Sequence, residues 1–168
     1  MIQRFIITGG PSTGKSSIIE YLQKLGHLCF QEISREIIQK QNILTSAKNF
    51  DFEYTVFKER KKQYLAAKKL HFYDRSMIDG LAYMKLQKKP IPQQILTELR
   101  AHPYESKVFI TPTWEDIYHQ DTERLESFEE ATAIDKSLRK TYQSFGYELV
   151  EIPFSTVEER VKFILSQI

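Results

Sequence analysis

A single cysteine, Cys29, in 168 residues excludes an intramolecular disulfide and any metal cluster built on thiolates. No apolar run approaches the roughly 18 residues of a membrane-spanning helix. The first strand-like segment begins by about residue 4, which leaves no room for a signal peptide. Together these absences predict a reduced, cytoplasmic setting and no membrane partner. Charge of one sign is also scarce: 24 Lys and Arg stand against 22 Asp and Glu, a net charge of +2. So even a balance argues neither for nor against nucleic acid, since a binding groove would have to come from local clustering; nucleic acid is an unfavoured partner only because the clustered run at 58–62 reads as a solvated face. His27, His71, His102 and His119 lack metal-ligand grouping. No repeat, linker or low-complexity stretch interrupts the chain. An apolar fraction of 41% is enough for a real core, and the length predicts one domain over residues 1–168.

Against this background one motif stands out. Gly9-Gly10-Pro11-Ser12-Thr13-Gly14-Lys15-Ser16 spells G-x-x-x-x-G-K-[ST], the phosphate-binding loop. A loop wrapped around a triphosphate must turn several backbone N–H groups inward, and glycine adopts the required dihedrals without steric cost. Lys15 can reach the β- and γ-phosphates, and the Ser16 hydroxyl is placed to hold Mg²⁺. The helix after the loop aims its positive end at the phosphates, which brings Ser17 into the same contact set. The context agrees. Arg4-Phe5-Ile6-Ile7-Thr8 reads as a buried strand, and Ile18, Ile19, Leu22 and Leu25 fall at helical spacing before Gly26, a C-cap. Residues 9–17 are therefore expected to bind ATP or another nucleoside triphosphate with Mg²⁺.

The rest of the chain alternates. Strands are predicted at 27–31, 70–73, 107–111 and 147–152, and helices at 34–48, 51–69, 79–87, 93–101 and 156–167. A charged, lid-like stretch at about 114–130 leads into a long helix that ends near Phe145. Such alternation predicts an α/β fold with a parallel sheet covered on both faces. Ligands in these sheets bind beyond the carboxyl ends of the strands, which gathers the loop, Glu32, Asp74 and the segment after Thr111 around one crevice.

Each candidate in that crevice has two readings. Asp74 ends the third strand as a magnesium-site group or as a helix N-cap. Arg75 either contacts phosphate or substrate, or pairs with Asp79 one turn on. Glu32 either takes the proton of an attacking hydroxyl or starts a helix and pairs with Arg35, itself a possible substrate contact. Arg124 either stabilises charge on the transferred phosphoryl group or belongs to a solvated helix. The run Lys58-Glu59-Arg60-Lys61-Lys62 reads as a solvated face rather than a nucleic-acid stripe. Trp114 either packs or stacks on a base. No Asn-Lys-x-Asp tetrapeptide occurs, so the guanine-reading element of GTPases is missing. There is also no long insertion of the kind ring-forming ATPases carry.

Taken together, these segments resemble the small kinase-like P-loop proteins grouped as AAA-type predicted ATPases. These are related to the ribosylnicotinamide kinase domain of a bifunctional NAD-biosynthesis protein and more distantly to deoxynucleoside kinases. The carriers are residues 9–16, Glu32-Ile33-Ser34-Arg35-Glu36, Tyr73-Asp74-Arg75-Ser76 with Asp79 and Tyr83, residues 121–124 with Phe128-Glu129-Glu130-Ala131, and residues 146–153. The resemblance implies a three-layer P-loop NTPase fold with a five-stranded parallel sheet of order 2-3-1-4-5 and an arginine-bearing lid after the fourth strand. It also implies Glu32 as base, and Asp74-Arg75-Ser76 as the counterpart of the acid-Arg-Ser motif of the deoxynucleoside kinases. Aspartate stands at 74 where those kinases have glutamate. The leading expectation is an ATP-dependent phosphotransferase acting on a small hydroxyl acceptor. The alternative is an ATPase or nucleotide switch that signals to a protein partner.

Overall fold

The computed structural model describes residues 1–41, 50–118 and 126–168. Five strands, β1 (Arg4–Gly9), β2 (Leu28–Phe30), β3 (His71–Asp74), β4 (Lys107–Thr111) and β5 (Glu148–Glu151), form one parallel sheet in the order β2-β3-β1-β4-β5. That is the order the resemblance implies. The helices are α1 (Lys15–Lys24), α2 (Ser34–Gln41), α3 (Phe50–Ala66), α4 (Met77–Leu86), α5 (Gln93–Ala101), α6 (Phe128–Ser144) and α7 (Val157–Ser166), with a 3₁₀ turn at Glu115–Ile117.

The two faces of the sheet follow from strand periodicity. Phe5, Ile7, Phe72 and Phe109 point to one side and pack on Ile18, Ile19 and Leu22 of α1 and on Val161 and Ile164 of α7. Ile6, Tyr73 and Val108 point to the other side, against Phe57, Met77, Leu81, Leu138 and Tyr142 from α3, α4 and α6. Each of these buried apolar side chains contributes about 1.5–3 kcal/mol of burial. A third, smaller cluster of Ile37, Phe52 and Val56 joins α2 to α3. No described helix is long and apolar enough to cross a membrane.

Register places the strand ends together. Ile7 lies beside Asp74 and Gly9 beside Thr111. Gly9 has φ 145, and a Cβ there would collide with the side chain and carbonyl of Thr111, so only glycine lets β1 turn into the loop this close to β4. The helix after β3 starts at Met77, two residues before the apolar periodicity predicts. Ser76 caps it: Ser76 Oγ accepts from Ile78 N at 3.0 Å, and Asp79 Oδ2 accepts from Ser76 N at 2.8 Å. Asp74 is therefore not the N-cap. The helix predicted over 34–48 is described as far as Gln41, and its remainder lies outside the described residues.

Candidate functional site

The loop after β1 has the backbone of an anion cradle. Ser12 (φ 55) and Gly14 (φ 79) both have positive φ within the loop. Thr13 Oγ1 lies 2.6 Å from Thr111 Oγ1, which ties the loop to the end of β4. Lys15, only 7% exposed, turns its ammonium back onto the loop and donates to the Gly10 carbonyl and to Thr13 Oγ1. Burial lowers its pKa to about 7, and the Arg75 guanidinium adds to the effect, while Asp74, Asp79 and Glu32 oppose it. Ser16 and Ser17 are exposed on the first turn of α1.

Two carboxylates flank the loop. Asp74, at the end of β3, is buried, and its Oδ1 has no hydrogen-bond partner among the described residues. Burial raises its pKa to about 6 against the pull of Lys15 and Arg75. An orphaned anionic oxygen is costly unless something fills it. Together with the exposed Ser16 hydroxyl it offers the kind of oxygen donors that Mg²⁺ would need, since that ion takes one or two protein oxygens and completes its shell with water and phosphate. The described residues hold no group of three or more His, Cys, Asp or Glu placed to bind a metal by themselves. Glu32, just past β2, behaves differently. Burial alone would raise its pKa, but Arg60, Arg75 and the hydrogen bonds from Ser34 bring it down to about 2. Ser34 N donates to Glu32 Oε1 at 2.9 Å and Arg60 Nη2 lies 3.2 Å from the same oxygen.

Arg75 has φ 69, a strained conformation for a residue with a side chain, and its N–H donates to the Ile7 carbonyl at 2.9 Å. Its guanidinium lies 3.4 Å from Asp79 Oδ1 and 5.7 Å from the centre of the Tyr83 ring. The pairing with Asp79 is thus formed. Asp79 is the hub beneath the site. It is 0% exposed and accepts from Thr8 Oγ1 at 2.6 Å, from Ser76 N, and from the Tyr142 hydroxyl. Burial would raise its pKa, but Arg60, Arg75, Thr8 and Tyr142 hold it below the usual carboxylate range. Asp79→Ala should therefore cost about 3–5 kcal/mol, since it leaves buried donors and a buried cation unpaired. The chemical-denaturation midpoint reads this, and a midpoint equal to the parent's would refute the hub role.

Several side chains depart from the sequence reading. Arg60 is not part of a solvated face: it is 3% exposed and donates from Nη1 to the Ser76 carbonyl at 2.8 Å as well as to Glu32. Glu32 pairs with Arg60 across the fold, and Arg35 lies on the exposed side of α2. Lys61 and Lys62, by contrast, keep to the solvated face, where they pair with Glu98 and Glu59 at 2.7 and 2.6 Å. Trp114 packs on Phe154, ring centres 5.0 Å apart. Arg124, and with it residues 119–125 of the lid-like stretch, lies outside the described residues. Glu53 on α3 was not singled out by sequence, yet it is buried against Gly80, and burial raises its pKa to about 7 despite Arg60, Lys89 and Arg75. The signal was there. Residues 53, 57, 60 and 64 share one helical stripe, so Glu53 and Arg60 fall among apolar neighbours.

A parallel sheet of this order, with a G-x-x-x-x-G-K-[ST] loop between β1 and α1, defines a P-loop nucleotide-binding fold. The sequence signature of one family, the AAA domain, matches residues 4–160, and the chain belongs to that family. A search of curated proteins finds no match. Among solved structures, deoxyadenosine kinase from M. mycoides with bound dATP superposes with a TM-score of 0.71 at 16% identity, covering 98% of both chains. NadR protein in complex with NR gives 0.72 at 16% identity over 98% of this chain and 50% of its own. Thymidylate kinase from Candida albicans gives 0.67 at 14% identity over 99% of this chain and 90% of its own. At these identities the likeness is one of fold.

Proposed function

We propose that the protein is a Mg-ATP-dependent phosphotransferase whose acceptor is a hydroxyl group of a small nucleoside- or nucleotide-like metabolite. The observation that carries this reading is the pair of carboxylates at the ends of adjacent strands, Glu32 after β2 and Asp74 ending β3, both within the electrostatic reach of Lys15. An ionised carboxylate beside the loop can orient an acceptor hydroxyl, which a nucleotide switch without transfer does not require. The similar folds of a deoxyadenosine kinase and of NadR bound to NR support the same class of acceptor.

In this reading Lys15 and the loop amides hold the β- and γ-phosphates, and Ser16 and Asp74 would hold Mg²⁺, which neutralises phosphate charge when bound. Glu32 accepts a hydrogen bond from the acceptor hydroxyl and aims its oxygen along the line of attack. With a pKa of about 2, Glu32 is a weak proton sink. That suffices in a loose transition state, where the hydroxyl becomes acidic only as its oxygen bonds to phosphorus and the bond to the leaving ADP breaks. The proton then passes to the Glu32 carboxylate and on to solvent.

The test is a screen for ATP consumption across nucleosides, nucleotides and cofactor precursors, with water alone as control. Acceptor-dependent turnover is expected, and turnover equal to the water control for every acceptor would contradict the proposal.

Lys15 also sets a pH dependence. Its amine is mostly neutral above about pH 7 in the free protein and becomes an ammonium beside polyphosphate, so its pKa rises on binding. A group whose pKa rises on binding takes up a proton between its free and bound values. Calorimetry at pH 8 in buffers of different ionisation enthalpy should show proton uptake with ATP, and a buffer-independent enthalpy would count against the buried-amine account.

A further inference from the structure

Arg160 stands on α7, the last helix, and is 2% exposed. Its Nη2 donates to the Thr13 carbonyl at 2.9 Å, and a Cβ built on Gly14 would lie 2.6 Å from its Nη1. The guanidinium carbon sits 5.6 Å from the centre of the Trp114 ring, which packs in turn on Phe154. No carboxylate pairs with Arg160 among the described residues, and its Nε has no hydrogen-bond partner there. Burying an arginine without a counter-ion is costly, and burial lowers its pKa accordingly. Core packing alone would be served better by an apolar side chain.

What the guanidinium touches gives it a use. The peptide joining Thr13 to Gly14 is trans and planar, so its C=O and N–H point in opposite directions. With the carbonyl held by Arg160, the Gly14 N–H is fixed on the opposite side of the peptide, the side to which the triphosphate-loop reading assigns the phosphates. A cationic donor on the carbonyl also polarises the peptide and strengthens that N–H as a donor. The glycine at 14 satisfies two demands at once: φ 79 and clearance for Arg160.

We propose that Arg160 is a positioning residue of the phosphate loop, whose guanidinium fork orients the Thr13–Gly14 peptide and so sets the loop's affinity for polyphosphate. This rests on the reading of residues 9–17 as a triphosphate loop. The fork, whose carbon lies 5.6 Å from the Trp114 ring centre, is what matters, and a point charge on a flexible stem is a poor substitute.

The experiment is calorimetric titration of parent, Arg160→Met and Arg160→Lys with ATP and, separately, with inorganic tripolyphosphate, alongside ligand-free thermal melts. Arg160→Met should weaken both ligands by the same factor, roughly 10-fold or more, the size of one charge-assisted hydrogen bond. Arg160→Lys should weaken both by a smaller factor with a melt close to the parent's, so it carries the test if the methionine variant does not fold. Parental tripolyphosphate affinity in a folded Arg160→Met, or in Arg160→Lys, would overturn the proposal. A loss for ATP without a loss for tripolyphosphate would overturn it too, by placing the effect on the nucleoside end. A parent that binds neither ligand would refute the loop reading itself, a result separable from any difference among variants.

Discussion

Lys15→Ala is expected to abolish or greatly weaken triphosphate binding while leaving a folded protein. The ammonium is the one point charge inside the loop, already held there by the Gly10 carbonyl and Thr13 Oγ1. Loss of one partner from a desolvated, charge-assisted contact costs about 2–5 kcal/mol, which is roughly 30-fold to several thousand-fold in affinity. The fold should tolerate the change for a reason the structure supplies. Lys15 is buried with its pKa pulled down by burial and by Arg75, so its charged form is held at a cost. Alanine removes that cost and the repulsion, at the expense of two hydrogen bonds of about 1 kcal/mol each and the attraction of the neighbouring carboxylates. Calorimetry with ATP, and a circular-dichroism melt of the same sample, separate the two effects. Unchanged ATP affinity in a folded variant would remove the phosphate-loop assignment.

How much of this was legible in the sequence depends on whether a residue's job is local. The loop letters could be read because each does its work within its own segment: Gly9 and Gly14 for dihedrals, Lys15 for charge, Ser16 for a hydroxyl. Helix starts are also spelled locally, in the capping boxes Ser76 and Asp79, Ser127 and Glu130, and Thr156 and Glu159, but apolar periodicity alone places the start of α4 at Asp79, two residues late. Glu32 shows where local reading stops. Its nearest cation in sequence is Arg35, one turn along a predicted helix, and its partner in the fold is Arg60, 28 positions away. Nothing in spacing connects β2 to the middle of α3. Arg60 was read with its lysine neighbours as solvated because composition averages over a helix, while burial depends on the stripe. Arg160 is the extreme case, an arginine 147 positions from the carbonyl it holds. It stands beside Val161 on α7, whose Val161 and Ile164 are core residues, and only the fold says what lies opposite.

Glu32→Gln should lower phosphoryl transfer by roughly 10²–10⁴-fold while ATP binding persists. The amide keeps the size of the side chain but carries no charge and accepts no proton at neutral pH. It also leaves Arg60, 3% exposed, without its carboxylate. The sequence reading, a surface pair with Arg35, predicts a stability loss of about 1 kcal/mol or less. The buried pairing with Arg60 predicts more. Glu32 is depressed from 4.5 to about 2, worth about 3 kcal/mol at neutral pH by linkage. The sign follows from the direction. A carboxylate whose folded pKa lies below its unfolded one stabilises the protein above the unfolded value and stops doing so as pH falls through the folded one. The stability gap between parent and variant should therefore be full above about pH 4.5 and shrink as pH drops toward about 2. Stability and turnover thus answer different questions. A stability loss with normal acceptor-dependent turnover would leave Glu32 as Arg60's counter-ion and nothing more. A loss of turnover at saturating ATP, in a variant shown to be folded at the assay temperature, would tie its permanent charge to the acceptor hydroxyl. If the parent itself consumes ATP at the same rate with and without every acceptor, the carboxylate pair has no transfer to support, and the nucleotide switch becomes the better account of the fold.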